Sequence, residues 1–292
     1  MQRQAGPPLF VSFNRLKPAT FGYPNIRAKR EKRLKTLRLY STNILMVRMK
    51  KGKIYIGTSG WHYKHWRGRF YPVDLRPEEQ LDYYLLFFDT VEINNSFYRL
   101  PTRETFLKWH SDTPMEFLFS VKASRFITHM KKLKEPEDPL NLLMSRADAL
   151  EDKLGTILFQ LPPGWMINLE RFDYFLSALP RSKRCVFEFR NSTWYTTDIY
   201  DMLRRHNCAF CIYELAGHTS PLIVTADFVY VRLHGPGGKY QGSYKNNTLK
   251  EWALQVLQWK EEGKDVFIYF DNDQEAFAVF NALTLKDMVS AA

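Results

Sequence analysis

Short apolar segments that end in charged residues recur along this chain of 292 residues. Residues 265–273 read DVFIYFDND, residues 185–190 read CVFEFR, and residues 229–234 read VYVRLH. Ionisable and apolar side chains alternate in each segment, so a β-strand would place them on opposite faces. A charge packed against a helix layer costs roughly several kcal/mol unless it is paired. We therefore expect the charged faces of these strands to surround one shared polar mouth.

Eight such strand-like segments are separated by helical stretches. The predicted strands are residues 53–59, 90–96, 116–123, 154–162, 185–190, 208–215, 227–234 and 265–272. The predicted helices are residues 77–88, 103–110, 140–153, 169–179, 198–206, 249–262 and 274–288. The sixth connection, residues 216–226, is too short and too rich in helix breakers for a full helix.

This alternation over about 235 residues is typical of an α/β fold of the (β/α)8 TIM-barrel type, here with a short irregular connection in place of the sixth helix. An open doubly wound sheet is the alternative. That fold normally carries fewer strands and a glycine-rich turn after the first strand, and the sequence GTSGW at residues 57–61 is not such a turn. The barrel is therefore the predicted fold class.

The formal net charge of +11 is concentrated at the amino-terminal end of the chain. Residues 1–53 contain 14 Lys or Arg and one acid, whereas the remaining 28 basic and 30 acidic residues nearly cancel. We therefore predict two regions. Residues 1–52 form a basic, disordered extension, and residues 53–292 form a single barrel domain.

Three interpretations of the extension remain open. It resembles a transit peptide in being rich in arginine and nearly free of acid, although its prolines weaken that match. It is also compatible with a nucleic-acid-binding tail anchored by residues 27–38. Finally, translation could begin at Met49, which directly precedes the first strand. Binding of nucleic acid is expected only through this extension, because the rest of the chain is near neutral.

Cysteine usage and hydropathy indicate the compartment. Cys208 and Cys211 have C-x-x-C spacing, but they lie within a strand, and Cys185 leaves the set odd. Buried free thiols in a reducing compartment are the better interpretation. No long apolar run is free of charges or helix breakers, so no membrane span is predicted. We expect a cytoplasmic globular protein.

Seven motifs occur in a fixed order along the chain: IGTSGW at 56–61, TVEIN at 90–94, FYRLP at 97–101, LFQLPP at 158–163, FEFR at 187–190, VRLHG at 231–235 and YFDND at 269–273. Together they resemble the YecE-like family, also known as domain of unknown function 72. The resemblance covers residues 53–287 and implies a (β/α)8 barrel loosely grouped with sugar-isomerase-like barrels. It implies no proven reaction. Position 214 departs from the family pattern, because the family suggests Asp there and this chain has Glu214.

Barrel enzymes build their sites at the carboxyl ends of the strands. Taking one face of each strand by alternation predicts that polar residues from seven strands line this mouth. They are Glu92, Asn94, Lys122, Gln160, Glu188, Arg190, Glu214, Arg232, His234, Asp271 and Asp273. The alternative is a buried ion-pair network that only stabilises the barrel. A structural core is better filled by Val, Ile and Leu, so the sequence favours a functional site.

Loops at the same end add aromatic and glycine-rich segments. Trp61 and Tyr98 are candidate stacking surfaces for a sugar or heterocyclic ligand. The glycine-rich residues 235–244 follow the seventh strand, where barrels often bind phosphate, and Lys239 and Tyr244 in this loop are further candidates for substrate binding. Glu92, Glu188, His234 and Asp271 offer donors for Mg²⁺ or Mn²⁺, but the neighbouring cations disfavour a required metal.

The predicted function is acid-base chemistry on a small sugar-like or phosphorylated metabolite, as in an isomerase or hydrolase. Glu188 is the candidate general base, Asp271 or His234 the acid, and Glu92 a further catalytic residue. Lys122, Arg190 and Arg232 would bind an anionic group. A phosphodiesterase or nucleic-acid-binding protein that uses the basic extension is one alternative. A non-catalytic barrel that binds a metabolite is another.

Overall fold

The computed structural model describes residues 51–292, and these contain nine β-strands and seven α-helices. The strands are β1 Ile54–Thr58, β2 Thr90–Ile93, β3 Leu118–Lys122, β4 Leu154–Leu161, β5 Cys185–Phe189, β6 Ala209–Leu215, β7 His218–Thr219, β8 Phe228–Leu233 and β9 Asp265–Phe270. The helices are α1 Gln80–Leu85, α2 Arg103–Asp112, α3 Glu137–Ala147, α4 Leu169–Ala178, α5 Thr197–Arg205, α6 Asn246–Glu261 and α7 Phe277–Ser290. The interpretations of the basic extension concern residues 1–52, of which residues 1–50 lie outside the described part.

Eight parallel strands form a nearly closed barrel surrounded by the helices. The hydrogen-bonded order is β1-β9-β8-β6-β5-β4-β3-β2, and the short β7 pairs with β6 in the antiparallel sense. Each predicted strand is present, and the connection between β6 and β8 contains β7 instead of a helix. The predicted (β/α)8 fold, including its irregular sixth connection, is confirmed.

Three of the seven described helices begin after a capping side chain. Thr102, Asn168 and Thr196 precede α2, α4 and α5, and each side chain accepts a hydrogen bond from a backbone amide in the first turn. The predicted helix 77–88 is shorter than expected, because it begins as a 3₁₀ turn at Pro77–Glu79 and α1 ends at Leu85.

Among the described residues, no helix combines the length and the apolar composition needed to cross a bilayer.

The seam between β1 and β2 closes the barrel without a regular ladder of hydrogen bonds. Ser59 and Glu92 form a single parallel bridge, and the hydroxyl of Tyr84 on α1 connects the two strands. This hydroxyl accepts from the Thr58 amide at 3.0 Å and donates to the Thr90 carbonyl at 3.1 Å. The strands approach so closely at Gly57 that a Cβ atom there would lie 2.4 Å from the Thr90 carbonyl oxygen. Only glycine fits this position without a backbone shift.

Substitution of Gly57 by alanine is expected to lower the free energy of unfolding by about 1 to 3 kcal/mol, because the added methyl group forces β1 and β2 apart. Urea denaturation monitored by circular dichroism measures the change. Gly164→Ala is the matched control, since nothing lies within 4 Å of a Cβ atom built at that glycine. Equal stability of the two variants would show that the seam is not tightly packed.

The two faces of the barrel strands carry different side chains. Phe187, Phe189, Val231 and Leu233 belong to the apolar cluster between the strands and the helices, as their alternation predicted. The barrel interior contains a second, smaller cluster that includes Tyr230. Its other members are Leu158, Val186, Ala209, Cys211, Tyr213, Ala226, Phe228, Phe267 and Tyr269. Cys185, Cys208 and Cys211 are buried free thiols, as expected.

Candidate active site

A layer of charged side chains lies inside the barrel at the carboxyl ends of the strands. Glu92, Glu188 and Arg232 are the second-last residues of β2, β5 and β8, respectively, while His234 and Asp271 directly follow β8 and β9. Four of these five side chains are completely buried, and the fifth, Asp271, is 5–6 % exposed. The structure therefore brings together residues that are separated by up to 179 positions in the sequence.

Arg232 is the centre of this layer and contacts three carboxylates. Its Nη2 donates to Glu92 Oε1 at 2.6 Å and to Asp271 Oδ2 at 3.0 Å, and its Nη1 donates to Glu188 Oε2 at 2.8 Å. Burial alone would lower the pKa of Arg232, but the three carboxylates raise it well above its ordinary value. Within residues 51–292, only the Nε atom of this guanidinium lacks a partner. Arg232 is thus a permanent buried cation.

Glu92 is held by three donors. The hydroxyl of Ser59 and Arg232 both donate to Oε1, and the hydroxyl of Tyr230 donates to Oε2 at 2.6 Å. Its side chain is completely buried. Because both oxygens are occupied, Glu92 fixes the orientation of Arg232, and no oxygen of this carboxylate faces the mouth.

The two carboxylate oxygens of Glu188 each accept a hydrogen bond from a guanidinium group. Nε of Arg190 donates to Oε1 and Arg232 donates to Oε2. Burial would raise the pKa of Glu188, but Arg190 and Arg232 outweigh it and hold the pKa well below its ordinary value. Since its oxygens are both engaged and its side chain is fully buried, this carboxylate is well placed to position Arg190.

His234 connects Arg190, the partner of Glu188, to Asp271. The imidazole Nδ1 lies 2.8 Å from Asp271 Oδ2, and Nε2 lies 2.8 Å from Arg190 Nη2. A guanidinium can only donate hydrogen bonds, so Nε2 must accept and the proton lies on Nδ1. The ring is therefore held in one tautomer between an arginine and a carboxylate.

Asp271 is the carboxylate of this layer that reaches the mouth. Its Oδ2 accepts from Arg232 and His234, whereas its Oδ1 has no hydrogen-bond partner in the described part of the chain. Burial would raise the pKa of Asp271, but Arg232, His234 and Lys122 lower it below its ordinary value. Asp271 is thus ionised at neutral pH, with one oxygen fixed and the other available.

Lys122 is a buried amine without a carboxylate partner. Its side chain is 6 % exposed, and Nζ donates to Asn94 Oδ1 at 3.0 Å and lies 4.5 Å from the centre of the Phe97 ring. No Asp or Glu oxygen of the described residues lies within 4 Å of this nitrogen. Burial, and secondarily the charge of Arg232, lowers the pKa of Lys122 to about 8.

Two cavities open at this end of the barrel, beside the charged layer. One has a volume of about 240 Å³ and is lined by Trp61, Tyr63, Asn94 and Tyr98 among others. The other, of about 340 Å³, is lined by residues of the loops after β1, β8 and β9, including Tyr240. A larger cavity of about 1050 Å³ lies at the amino-terminal end of the strands, where barrels are not known to place their catalytic residues. The smaller cavities are therefore the relevant ones.

Some predicted binding residues lie at this mouth and others do not. Asn94 and Gln160 are half-buried on the inner face, and Tyr98 is 72 % exposed in the wall of the smaller cavity. Trp61 lines the same cavity while its ring packs edge-on against Trp109. Lys239 is exposed in the wall of the second cavity.

The predicted inner face of β6 is wrong by one residue. Tyr213, not Glu214, lies inside the barrel, where its ring is 4.7 Å from the guanidinium carbon of Arg190. Glu214 is half-buried on the helix side, and its charge acts on Tyr244. Burial raises the pKa of Glu214. Strand β6, AFCIYEL, has apolar residues at both alternating positions, so alternation hardly distinguishes its two faces.

Tyr244 also lies away from the mouth. It is buried, packs against Phe270 on the outer face of β9, and accepts a hydrogen bond from the Gly235 amide at 3.0 Å. Other amides of the loop 235–244 donate within the protein as well, including Tyr240 to His234 O at 2.8 Å. These amides are not free to bind a phosphate. Tyr240 packs edge-on against the imidazole of His234, with 5.6 Å between ring centres.

Several residues of the site were not selected from the sequence. Ser59 and Tyr230 follow the same alternation as the selected residues, so their phase in β1 and β8 was an available signal. Tyr63 donates to the Ser59 carbonyl at 2.5 Å, and burial with Asp271 and Asp273 raises its pKa well above the ordinary value. His129 packs edge-on against Phe97 in a π-helical turn after β3, and no sequence pattern marked it.

The residues proposed as metal ligands do not fit a divalent cation. Among residues 51–292, no group of three or more His, Cys, Asp or Glu has suitable geometry. The oxygens that would bind Mg²⁺ or Mn²⁺ instead surround Arg232, whose charge lies where the metal would have to be. The cation at the centre of the charged layer is therefore the guanidinium of Arg232.

The fold and the charged layer define a (β/α)8 barrel of the class that carries polar side chains at the carboxyl ends of its strands. Residues 55–292 match the family model described as protein of unknown function DUF72, and the chain belongs to this family.

Relatives and solved structures agree with this assignment. The UPF0759 protein YunF of Bacillus subtilis is 26% identical over 276 residues, covering 81% of this chain and 94% of that protein. The UPF0759 protein YecE of Escherichia coli K12 is 29% identical over 143 residues, about half of each chain (49% and 50%). The structure of a DUF72 family protein from Thermotoga maritima is similar with a TM-score of 0.74 at 27% identity, covering 82% of this chain and 99% of that one.

Proposed function

We propose that this protein is an enzyme that performs acid-base chemistry on a small, hydroxylated and anionic metabolite, such as a phosphorylated sugar. The observation that carries the proposal is the state of Asp271. One oxygen is fixed by Arg232 and His234, and the other has no partner among the described residues. A carboxylate held in this way is oriented to exchange a proton with a bound ligand.

The neighbouring groups supply the binding functions for such a metabolite. Arg190 reaches the mouth with a side chain that is 7 % exposed, and it is held from below by Glu188. It can therefore bind a phosphate or carboxylate group of the substrate. The aromatic walls formed by Trp61, Tyr63 and Tyr98 suit the apolar face of a sugar.

The contacts favour Asp271 for the proton-transfer role over Glu188, the residue favoured by sequence alone. Glu188 has both oxygens bound by guanidinium groups, so it would have to break a buried ion pair before it could accept a proton. His234 serves Asp271 as a positioning residue, because its Nδ1 proton orients the carboxylate.

The experiment that tests the proposal is an incubation of the protein with phosphorylated sugars and a cellular metabolite extract in D₂O. Transfer of a proton between carbon and solvent introduces deuterium into a metabolite, and mass spectrometry detects the added mass whichever product forms. Asp271→Asn is expected to slow the incorporation by roughly 100-fold or more, since it removes the proton acceptor.

The matched control is Asp287→Asn, which removes an exposed carboxylate on α7. It is expected to leave the rate unchanged. Equal incorporation by the Asp271→Asn variant and the parent, with both proteins folded, would remove Asp271 from the mechanism. Absence of any incorporation or turnover by the parent across the extract would contradict the enzyme proposal and favour a metabolite-binding barrel.

A further inference from the structure

Among residues 51–292, two lysines are almost completely buried, and their surroundings differ in a way that bears on reactivity. Lys153 is 5 % exposed, and its Nζ donates to the His110 carbonyl at 2.5 Å, the Thr113 carbonyl at 2.6 Å and the Thr113 hydroxyl at 3.2 Å. An ammonium has three protons, and here each has an acceptor. Lys153 therefore has all of its donors paired and ties α2 to the segment before β4.

Lys122 has the same burial but only one acceptor, Asn94 Oδ1. Its surroundings also include the face of Phe97 and the positive charge of Arg232. The carboxylates of Glu92, Glu188 and Asp271 act on Lys122 from beyond 4 Å, because each of them is paired with Arg232. Burial outweighs these distant carboxylates and favours the neutral amine. A neutral amine carries a lone pair and is a nucleophile.

Lys122 is also placed where a substrate would arrive. It ends β3 at the same end of the barrel as Asp271, and its acceptor Asn94 lines the cavity of about 240 Å³. Lys122 and Asp271 are close enough that the charge of each shifts the pKa of the other. An amine and a carboxylate at the same end of the barrel are the groups that reversible addition to a carbonyl requires.

We propose that Lys122 forms a covalent imine with the carbonyl carbon of a small hydroxylated aldehyde or ketone. The inference rests on the proposed function only in taking a small sugar-like compound as the ligand. The amine nitrogen attacks the carbonyl carbon, and one of its protons passes to the carbonyl oxygen to give a carbinolamine. The second nitrogen proton then passes to that oxygen, which leaves as water, so that the C–O bond breaks and the C=N bond forms. Asp271 is the group that transfers protons in both steps.

The test uses glycolaldehyde and dihydroxyacetone phosphate as probes, with sodium borohydride added to reduce any imine to a stable amine. Mapping of tryptic peptides by mass spectrometry identifies the lysine that carries the adduct. At pH 7 an amine with a pKa of about 8 has on the order of 100-fold more neutral form than an ordinary lysine. We therefore expect Lys122 to be labelled on the order of 100-fold faster than exposed lysines, and Lys153 in the same molecule to remain unlabelled.

The pH dependence provides an independent readout. Labelling of Lys122 is expected to rise up to about pH 8 and then level off, whereas labelling of exposed lysines continues to rise toward about pH 10. Lys122→Met keeps the length of the apolar stem and removes the amine, so it should abolish the fast phase. Circular dichroism of this variant verifies its fold, and the parent protein carries the main test in any case.

The outcomes separate this inference from the proposed function. Adducts confined to exposed lysines, or no faster on Lys122 than on them, would overturn the inference. Deuterium incorporation that depends on Asp271 without an adduct on Lys122 would overturn the inference and leave the acid-base function standing. A fast adduct on Lys122 without any deuterium incorporation would support the carbonyl-binding amine and contradict the acid-base function.

Discussion

Replacement of Arg232 by methionine is expected to lower the free energy of unfolding by about 3 to 5 kcal/mol, the usual cost of leaving buried charges without their partner. Arg232 is completely buried and is the shared partner of Glu92, Glu188 and Asp271. Methionine fills much of the same volume, so the loss measures the uncompensated carboxylates rather than a cavity. Guanidinium chloride denaturation measures this difference, which is a large part of the stability of an ordinary domain.

The control for Arg232 is Arg204→Met on α5. Arg204 also contacts a carboxylate, Asp201, at 2.7 Å, but both side chains are about half exposed. An exposed pair contributes little, so the change is expected to stay within about 0.5 kcal/mol. Arg232→Lys is expected to be intermediate, because an ammonium cannot reach three carboxylates in the geometry of a guanidinium. A loss below about 1 kcal/mol in Arg232→Met would mean that water replaces the guanidinium and that the layer is not buried.

The second large effect is the dependence of stability on the charge of Glu188. Glu188→Gln is expected to cost about 3 kcal/mol at neutral pH, because it leaves Arg190 and Arg232 facing each other without the intervening carboxylate. The pKa of Glu188 is lowered in the folded protein. Its ionised form therefore stabilises the fold above the unfolded pKa of about 4.3, and this contribution is lost as pH falls through the lower, folded pKa.

The difference between the parent and Glu188→Gln should therefore be constant from pH 7 to about 5 and should shrink below about pH 4. Glu214→Gln provides a control of opposite sign. Burial raises the pKa of Glu214, so its contribution is present at low pH and is lost as pH rises through the folded pKa. This variant should thus gain stability relative to the parent above about pH 4.3. Urea denaturation across this pH range measures both. A difference for Glu188→Gln that stays constant down to pH 3 would contradict the pairing described above.

A buried network of this kind has both structural and functional consequences. Glu92 and Glu188 have every oxygen occupied and hold the two arginines in place. Asp271 and Lys122 lie at the edge of the same network, each with unused hydrogen-bonding capacity among the described residues. The network thus combines the two interpretations that the sequence left open, because its interior stabilises the barrel while its rim is available to a ligand.

The fold was predictable because its signals are local. Alternation in segments such as CVFEFR separates a charged face from an apolar one, and these faces were assigned correctly for β5 and β8. Capping residues such as Thr102 and Asn168 mark helix starts within a few positions in sequence. The wrong assignment of Glu214 to the inner face of β6 has the same origin, because AFCIYEL carries apolar residues at both alternating positions.

The roles within the site were much less predictable. Glu188 and Asp271 are both carboxylates at strand ends, and only the contacts of Arg190 and Arg232 show which of them has an oxygen to spare. The same holds for Lys122 and Lys153, which are equally buried and differ only in their acceptors. Such differences depend on distances of a few ångströms between elements far apart in the chain, and no local pattern encodes them.

By itself, the sequence determined the order of strands and helices, the side of each clearly alternating strand that carries charge, and the end of the barrel at which those charges collect. These properties follow from backbone periodicity and from the cost of burying an unpaired charge. The tertiary structure alone decided which charges pair, that Arg232 rather than a metal occupies the centre, and that Asp271 and Lys122 retain unused hydrogen-bonding capacity. Pairing depends on the stagger and closure of the barrel, because these set which side chains of different strands meet at hydrogen-bonding distance.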